Sequence, residues 1–186
     1  AQRNITLNAG STIGSSGQPI DVTLNSNLQG VAAGGGNITL TSTTIASNNG
    51  NITLAGDPSG TGFASNKAGS GIVLDASTID AGSGAITLRG EGGGAANSSG
   101  VALINGSVVT SSGAMNVTGK SISGGDQAIG VLVTGANSKI ENSGNGAMNI
   151  TGAGSSALSA TNAIGISIAS NDSVLGKDGE TSLIGS

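Results

Sequence analysis

Short runs in which apolar and polar residues alternate recur along the whole chain. Asn-Ile-Thr-Leu stands at Asn4–Leu7, Asn37–Leu40 and Asn51–Leu54, with looser copies at Ala85–Leu88, Ala114–Val117 and Ala147–Ile150. Alternation with a period of two marks a strand with one buried face. No stretch spaces its apolar residues at the helical period, so the pattern predicts little or no α-helix.

Aligning the runs reveals one long repeat built of three short strands and a loop. Strand one begins at Ile5, Ile38, Ile72, Val101, Val131 and Ile166, with Leu7, Leu40, Leu74, Leu103, Val133 and Ile168 two positions on. Subtraction of the starting numbers gives intervals of 33, 34, 29, 30 and 35 residues. Strand two is a hydroxyl–x–aliphatic triplet: Ser11–Ile13, Thr43–Ile45, Ser77–Ile79, Ser107–Val109, Ser138–Ile140 and Ser173–Leu175, the copy at 138 carrying Lys139 in the middle. Strand three carries Val22/Leu24, Ile52/Leu54, Ile86/Leu88, Met115/Val117, Met148/Ile150 and Thr181/Leu183. A glycine commonly precedes it (Gly50, Gly84, Gly113, Gly146, Gly179) and another follows (Gly56, Gly90, Gly119, Gly152, Gly185).

Strands this short are not stable alone and need equivalent strands above and below them. The repeat therefore predicts an all-β parallel β-helix over residues 1–186, of about six coils with three short strands each. About five aliphatic side chains per coil should point inward, each contributing roughly 1.5–3 kcal/mol on burial. The hydroxyl of strand two should face the same way and form a stacked ladder near one corner. Thr23, Thr53, Thr87, Asn116, Asn149 and Ser182 should form an outward polar column. The repeat glycines are expected at corners, where they admit φ > 0. Between coils, variable loops are expected over Ser26–Gly36, Asp57–Gly71, Glu91–Gly100, Lys120–Gly130 and Ala153–Gly165. Neither end shows a capping element, which repeat arrays normally carry, so the expectation is a segment of a longer shaft.

Composition changes the picture in one respect: the core must be thin. The chain has 186 residues, 35 Gly, one Phe, and no Tyr, Trp, Cys or His. Charged residues make up 9%, with net charge −4, which argues against nucleic acid as a partner. No apolar run approaches the length of a membrane-spanning helix, so no membrane insertion is expected.

The Gly50–Leu54, Ser77–Leu88 and Gly146–Gly152 runs resemble the filamentous-haemagglutinin-like exoproteins of bacterial two-partner secretion. The resemblance extends over nearly the whole chain. It implies a right-handed coil, export through an outer-membrane transporter, a place on the bacterial cell surface or in the medium, and a role in adhesion, aggregation or biofilm. The family's secretion domain usually carries an Asn-Pro-Asn-Gly element, and neither Pro19 nor Pro58 sits in one. The chain is thus similar to the shaft and not to the secretion domain.

Candidate chemistry is sparse. Ala114–Ser121, ending in Gly119-Lys120-Ser121, fits a relaxed phosphate-loop pattern, but it aligns with strand three and no helix pattern follows it. Gly92–Gly94 likewise opens no helix. Asp75 and Asp80 flank strand two of one coil, without acidic equivalents in the other coils, and read as turn aspartates. Asp172, Asp178 and Glu180 lie near the C-terminal edge, where a cation is conceivable. Thr6, Thr39, Thr41, Thr53 and Thr87 suggest an ice-ordering ladder, but strand one continues with Val73, Ala102, Leu132 and Ser167. No catalytic residue, cofactor site or metal site is assigned, and no enzyme is expected. Asn-x-Ser/Thr sequons stand at Asn4, Asn37, Asn51, Asn97, Asn105, Asn116, Asn149 and Asn171. Asn4, Asn37, Asn51, Asn116 and Asn149, on the repeated strands, are the candidate glycosylation sites. Some adhesins of the resembled family are modified at such sites, while outward Asn and Thr are also what the repeat itself demands.

The expected function is a rigid shaft that presents distal regions for adhesion, aggregation or biofilm formation. The alternative is direct binding of a host or matrix glycan, or of another exoprotein filament, through the loops or an exposed strand face.

Overall fold

The computed structural model describes residues 3–26, 35–57, 59–122, 127–156, 161–169 and 171–186. Parts of four expected loops, residues 27–34, 58, 123–126 and 157–160, lie outside them. Among the described residues there is no helix, and the chain forms three parallel sheets of stacked coils, a β-solenoid.

The first sheet stacks β1 (Ile5–Leu7), β5 (Ile38–Thr41), β9 (Ile72–Asp75), β12 (Ser99–Ile104), β15 (Ile129–Val133) and β18 (Ile164–Ile168). The second stacks β2 (Thr12–Gly14), β6 (Thr44–Ala46), β10 (Thr78–Asp80), β13 (Val108–Ser111), β16 (Lys139–Asn142) and β19 (Ser173–Gly176). The third stacks β3 (Val22–Asn25), β7 (Ile52–Ala55), β11 (Ile86–Gly92), β14 (Met115–Ser121), β17 (Met148–Ala153) and β20 (Thr181–Gly185). Six stacked strands along each sheet make six rungs joined by five coil-to-coil steps, and two further short strands adjoin the third sheet.

The register is the one the repeat predicts for the first and third sheets. Ile5, Ile38, Ile72, Val101, Val131 and Ile166 stack as one column. Val22, Ile52, Ile86, Met115, Met148 and Thr181 form another. In the four middle rungs the inward aliphatics, such as Leu40, Ile45, Leu74, Ile79, Leu103, Val109 and Ile140, are completely buried in one continuous core.

The sixth rung of the second sheet departs from expectation by one residue. Val174, and not Leu175, pairs with Ile140 and joins the core, whereas Leu175 pairs with Glu141 and is exposed. A one-residue shift in a strand exchanges its two faces. The ladder position that the pattern assigns to Ser173 belongs to Asp172, whose Oδ1 accepts the Ser138 N–H at 2.8 Å. Below it the hydroxyl ladder is as expected, with Thr43, Ser77, Ser107 and Ser138 all buried. Ser77 Oγ accepts from Thr43 N at 3.1 Å, Ser107 Oγ from Ser77 N at 3.0 Å, and Ser138 Oγ from Gly106 N at 3.1 Å. Each hydroxyl also donates within its own coil, as Ser77 does to the Asp75 carbonyl at 2.9 Å. A second ladder closes the other end of this sheet. Ser47 Oγ donates to the Gly50 carbonyl, Ser111 Oγ to that of Gly84, and Asn142 Nδ2 to those of Gly113 and Gly146.

The repeat glycines serve close approach and not left-handed turns. None of the glycines before or after strand three has φ in the left-handed region. Gly90, Gly119, Gly152 and Gly185 are one column within the third sheet, and Gly71, Gly100, Gly130 and Gly165 continue the first sheet's register. The two columns lie back to back: a Cβ on Gly90, Gly119 or Gly152 would strike the carbonyl oxygen of Gly100, Gly130 or Gly165 respectively. The left-handed corners are taken largely by other residues, including Ser42, Asn48, Asn49, Ala76, Asn105, Asn137 and Asn171. Asparagine tolerates this region because its short polar side chain bonds locally.

The expected loops are also partly strand. Strand three runs on through its glycine in β11, β14 and β17, so Glu91 and Lys120 are strand residues. Within Asp57–Gly71, β8 (Ala64–Asn66) pairs in parallel with Gly90–Gly92 and antiparallel with β4 (Gly35–Gly36).

Two predictions follow from this packing. Gly119→Ala should lower unfolding free energy by about 1–3 kcal/mol through overpacking. Gly17→Ala, with open space around the new methyl group, should stay within about 0.5 kcal/mol; urea unfolding compares the two. Ser77→Ala should cost about 1–3 kcal/mol because the buried Thr43 N–H loses its acceptor, with faster amide exchange at Thr43 as the local readout.

Candidate functional site

The chain's only aromatic side chain and three of its charged ones meet on the outward face of the third sheet. The alternation that buries Ile86, Leu88 and Gly90 turns Thr87, Arg89 and Glu91 outward. Strand pairing places Thr118 and Thr151 above Arg89, and Lys120 and Ala153 above Glu91. From below, β8 sets Ser65 beside Glu91. Two residues earlier in the same register, Phe63 comes beside Arg89.

The Arg89 guanidinium lies 4.6 Å from the centre of the Phe63 ring, and Lys120 Nζ lies 4.4 Å from it. Such contacts contribute about 0.5–1 kcal/mol at exposed sites. Lys120 Nζ also pairs with Glu91 Oε2 at 2.5 Å, and Ser65 Oγ donates to Glu91 Oε1 at 2.9 Å. Both oxygens of Glu91 are therefore engaged. Arg89 enters none of the ion pairs among the described residues, and its Nε is buried without a hydrogen-bond acceptor. Beside Lys120 a groove of about 340 Å³ is lined by Ser121, Ile122, Ala153, Gly154 and Ser155.

The loop that carries Phe63 is organised by Asp57. Its Oδ1 accepts from Ser59 Oγ at 2.8 Å and Thr61 N at 3.0 Å, and its Oδ2 from Thr61 Oγ1 at 3.3 Å. The Ser59 hydroxyl foremost, then the Thr61 and Gly62 donors, hold the carboxyl below its ordinary value of 3.8 against a smaller opposing effect of burial.

The residues singled out from sequence are dispersed. Asp75 Oδ1 accepts from Asn105 Nδ2 at 2.8 Å, and Asp80 Oδ1 caps a turn at Gly82 N, also at 2.8 Å. Each is occupied at its own corner. Asp172 bonds Ser138 and Asp178 pairs with Lys177, and no group of three or more acidic side chains able to hold a metal ion occurs among the described residues. Gly119-Lys120-Ser121 lies inside β14, with Gly119 and Lys120 paired on both sides and Ser121 on one, and forms no phosphate-cradling loop. Gly92 ends β11, and Gly94 has φ of 78°. Thr39 is followed in its column by Val73, so the threonine ladder of the first sheet is broken. Among the candidate glycosylation sites, Asn4, Asn51, Asn116 and Asn149 are exposed and Asn37 is half-buried. Asn51 Oδ1 accepts from Ala85 N at 2.9 Å, Asn37 Nδ2 donates to Thr39 Oγ1 at 3.0 Å, and Asn149 Nδ2 donates to Asn116 Oδ1 at 3.3 Å.

Arg89 and Glu91 were not singled out from the sequence, and Lys120 was read only within the phosphate-loop pattern. The signal was the alternation itself: carried on from the second aliphatic of strand three and past the glycine that follows, it puts Arg89, Thr118 and Thr151 in one outward column and Glu91, Lys120 and Ala153 in the next.

The fold defines the chain as a parallel β-solenoid. No family of known proteins, no curated protein and no solved structure matches it. No helix among the described residues is long and apolar enough to cross a membrane.

Because the folded-state value of Asp57 is depressed, its contribution to loop order is complete above the ordinary carboxyl value and is lost as pH falls through the lower, folded one. NMR titration should show a midpoint below 3.8, with the Thr61 amide losing protection in the same acid range. In Asp57→Asn that amide should show no such acid transition.

Proposed function

We propose that the chain is a structural shaft segment of a large secreted or surface-bound bacterial adhesin, holding distal regions away from the cell for adhesion, aggregation or biofilm formation. The supporting observation is the unbroken register of three sheets through six rungs. A fold whose coils share one core resists bending better than a chain of separate domains, and it lengthens by adding rungs. The sixth rung fits this reading. Ile164, Ile168 and Leu183 are open there, although their equivalents Ile129, Val133 and Ile150 below are buried, and they line a hollow of about 580 Å³. A further coil of the same repeat would cover that surface. Export by an outer-membrane transporter belongs to the same proposal and rests on the resemblance of the repeat runs.

The test is extension by whole coils. The segment is displayed on a cell between an anchor and an epitope tag, once and in tandem. At about 4.8 Å per rung, the tandem should carry the tag outward by about 30 Å, measured by fluorescence localisation. Deleting residues 101–130, one full period between Val101 and Val131, should leave a cooperative melt. A tag that does not move outward in the tandem, or loss of the transition on deleting that coil, contradicts the shaft reading.

A further inference from the structure

We infer that the outward face of the third sheet around Arg89 binds an acidic polysaccharide, one bearing carboxylate or sulfate groups. This goes beyond the shaft reading and does not depend on it.

The argument begins with an unmatched charge. Arg89 is half-buried and packed on Phe63, with its Nε buried and unbonded. A guanidinium withdrawn from water this far ordinarily has a carboxylate or carbonyl to bond. Its nearest acid along the strand, Glu91, already accepts from Lys120 and Ser65. The ring of Phe63 offers only a π face. The guanidinium edge is thus the strongest free donor of the face, and the group that complements a planar donor edge is an oxyanion.

The surroundings indicate what carries that oxyanion. The Arg89 column lies on the outward face of the sheet, and Arg89 does not line the groove beside Lys120. Polar side chains continue upward from Arg89 in two neighbouring columns, Thr118 and Thr151 in one, Thr87, Asn116 and Asn149 in the other. Stacking sets these donors and acceptors at a spacing of about 4.8 Å, on a straight line. Lys120 stands beside the line at the mouth of the Ser121–Ser155 groove. An extended, polyhydroxylated chain with a periodic negative charge matches both the line of hydroxyls and amides and the cation at its foot. A neutral glycan would leave Arg89 unmatched.

The experiment measures binding of the whole chain to immobilised dextran sulfate, polygalacturonate and neutral dextran at low and high salt. Binding to one or both acidic polymers and not to neutral dextran, weakened by salt, is expected. Retention by dextran sulfate alone assigns the sulfate form, and by polygalacturonate alone the carboxylate form. Arg89→Gln should weaken binding about tenfold or more with secondary structure retained. Thr118→Val, which keeps a β-branched strand residue, should weaken it about threefold and serves if Arg89→Gln does not fold. Equal binding of neutral dextran, no binding to either acidic polymer, or wild-type affinity in a folded Arg89→Gln overturns the inference.

Discussion

Every inward side chain of a coil rests on the equivalent side chain of the next coil, and this like-on-like stacking governs the rest of the structure. Because the sheets are parallel and in register, a column must be filled by residues of similar size over several rungs, as Ile38, Ile72, Val101 and Val131 fill theirs. The interior then needs no aromatic side chain, and the one phenylalanine lies outside the core. The same rule sets the coil's thickness at its glycine seam. Where the third sheet meets the first strand of the next coil, Gly119 and Gly130 bring backbone against backbone, and even a methyl group would collide with a carbonyl.

Stacking also resolves the polar cost of so many turns. A coil has three corners, and each corner exposes backbone N–H and C=O groups that the ladders of the sheets do not reach. The hydroxyls of Thr43, Ser77, Ser107 and Ser138 meet this need at one corner: each donates within its own coil, and those of Ser77, Ser107 and Ser138 also accept from the coil below. Ser47, Ser111 and Asn142 do so at the next. Buried hydroxyls are therefore part of the core here: they sit in inward positions, flanking an inward aliphatic such as Ile45 or Val109 on either side.

Most of the fold was legible from sequence because it repeats. A period-two pattern does not by itself say which strands pair, but six copies of one pattern do, since only equivalent rungs can bury the same face. The errors came where equivalence weakens. Ser173 looks like the ladder hydroxyl by type, but Asp172 supplies the acceptor, and only the Val174–Ile140 pairing reveals it. The glycines were read as turn residues because that is their commonest local use, whereas their role depends on a facing chain some ten residues away. The Arg89 cluster was hidden because Phe63 reaches it from the coil below by way of β8, whose Ala64-Ser65-Asn66 carries no strand signal of its own.

The division between interior and exterior has a consequence for how such a protein acquires binding. Inward positions are constrained by the coils on both sides, so change there is costly at every rung it touches. Outward positions meet only their column neighbours and solvent, and they vary: the column that holds Arg89 continues with Thr118, Thr151 and Ile184. A charge placed on that face costs the stack little, and the register immediately aligns it with the residues of the adjoining coils. The inserted loop led by Asp57 adds what a flat sheet lacks, an aromatic wall on one side of the column. A scaffold repeat and a local binding surface are therefore compatible in one chain, the first written in the inward residues and the second in the outward ones.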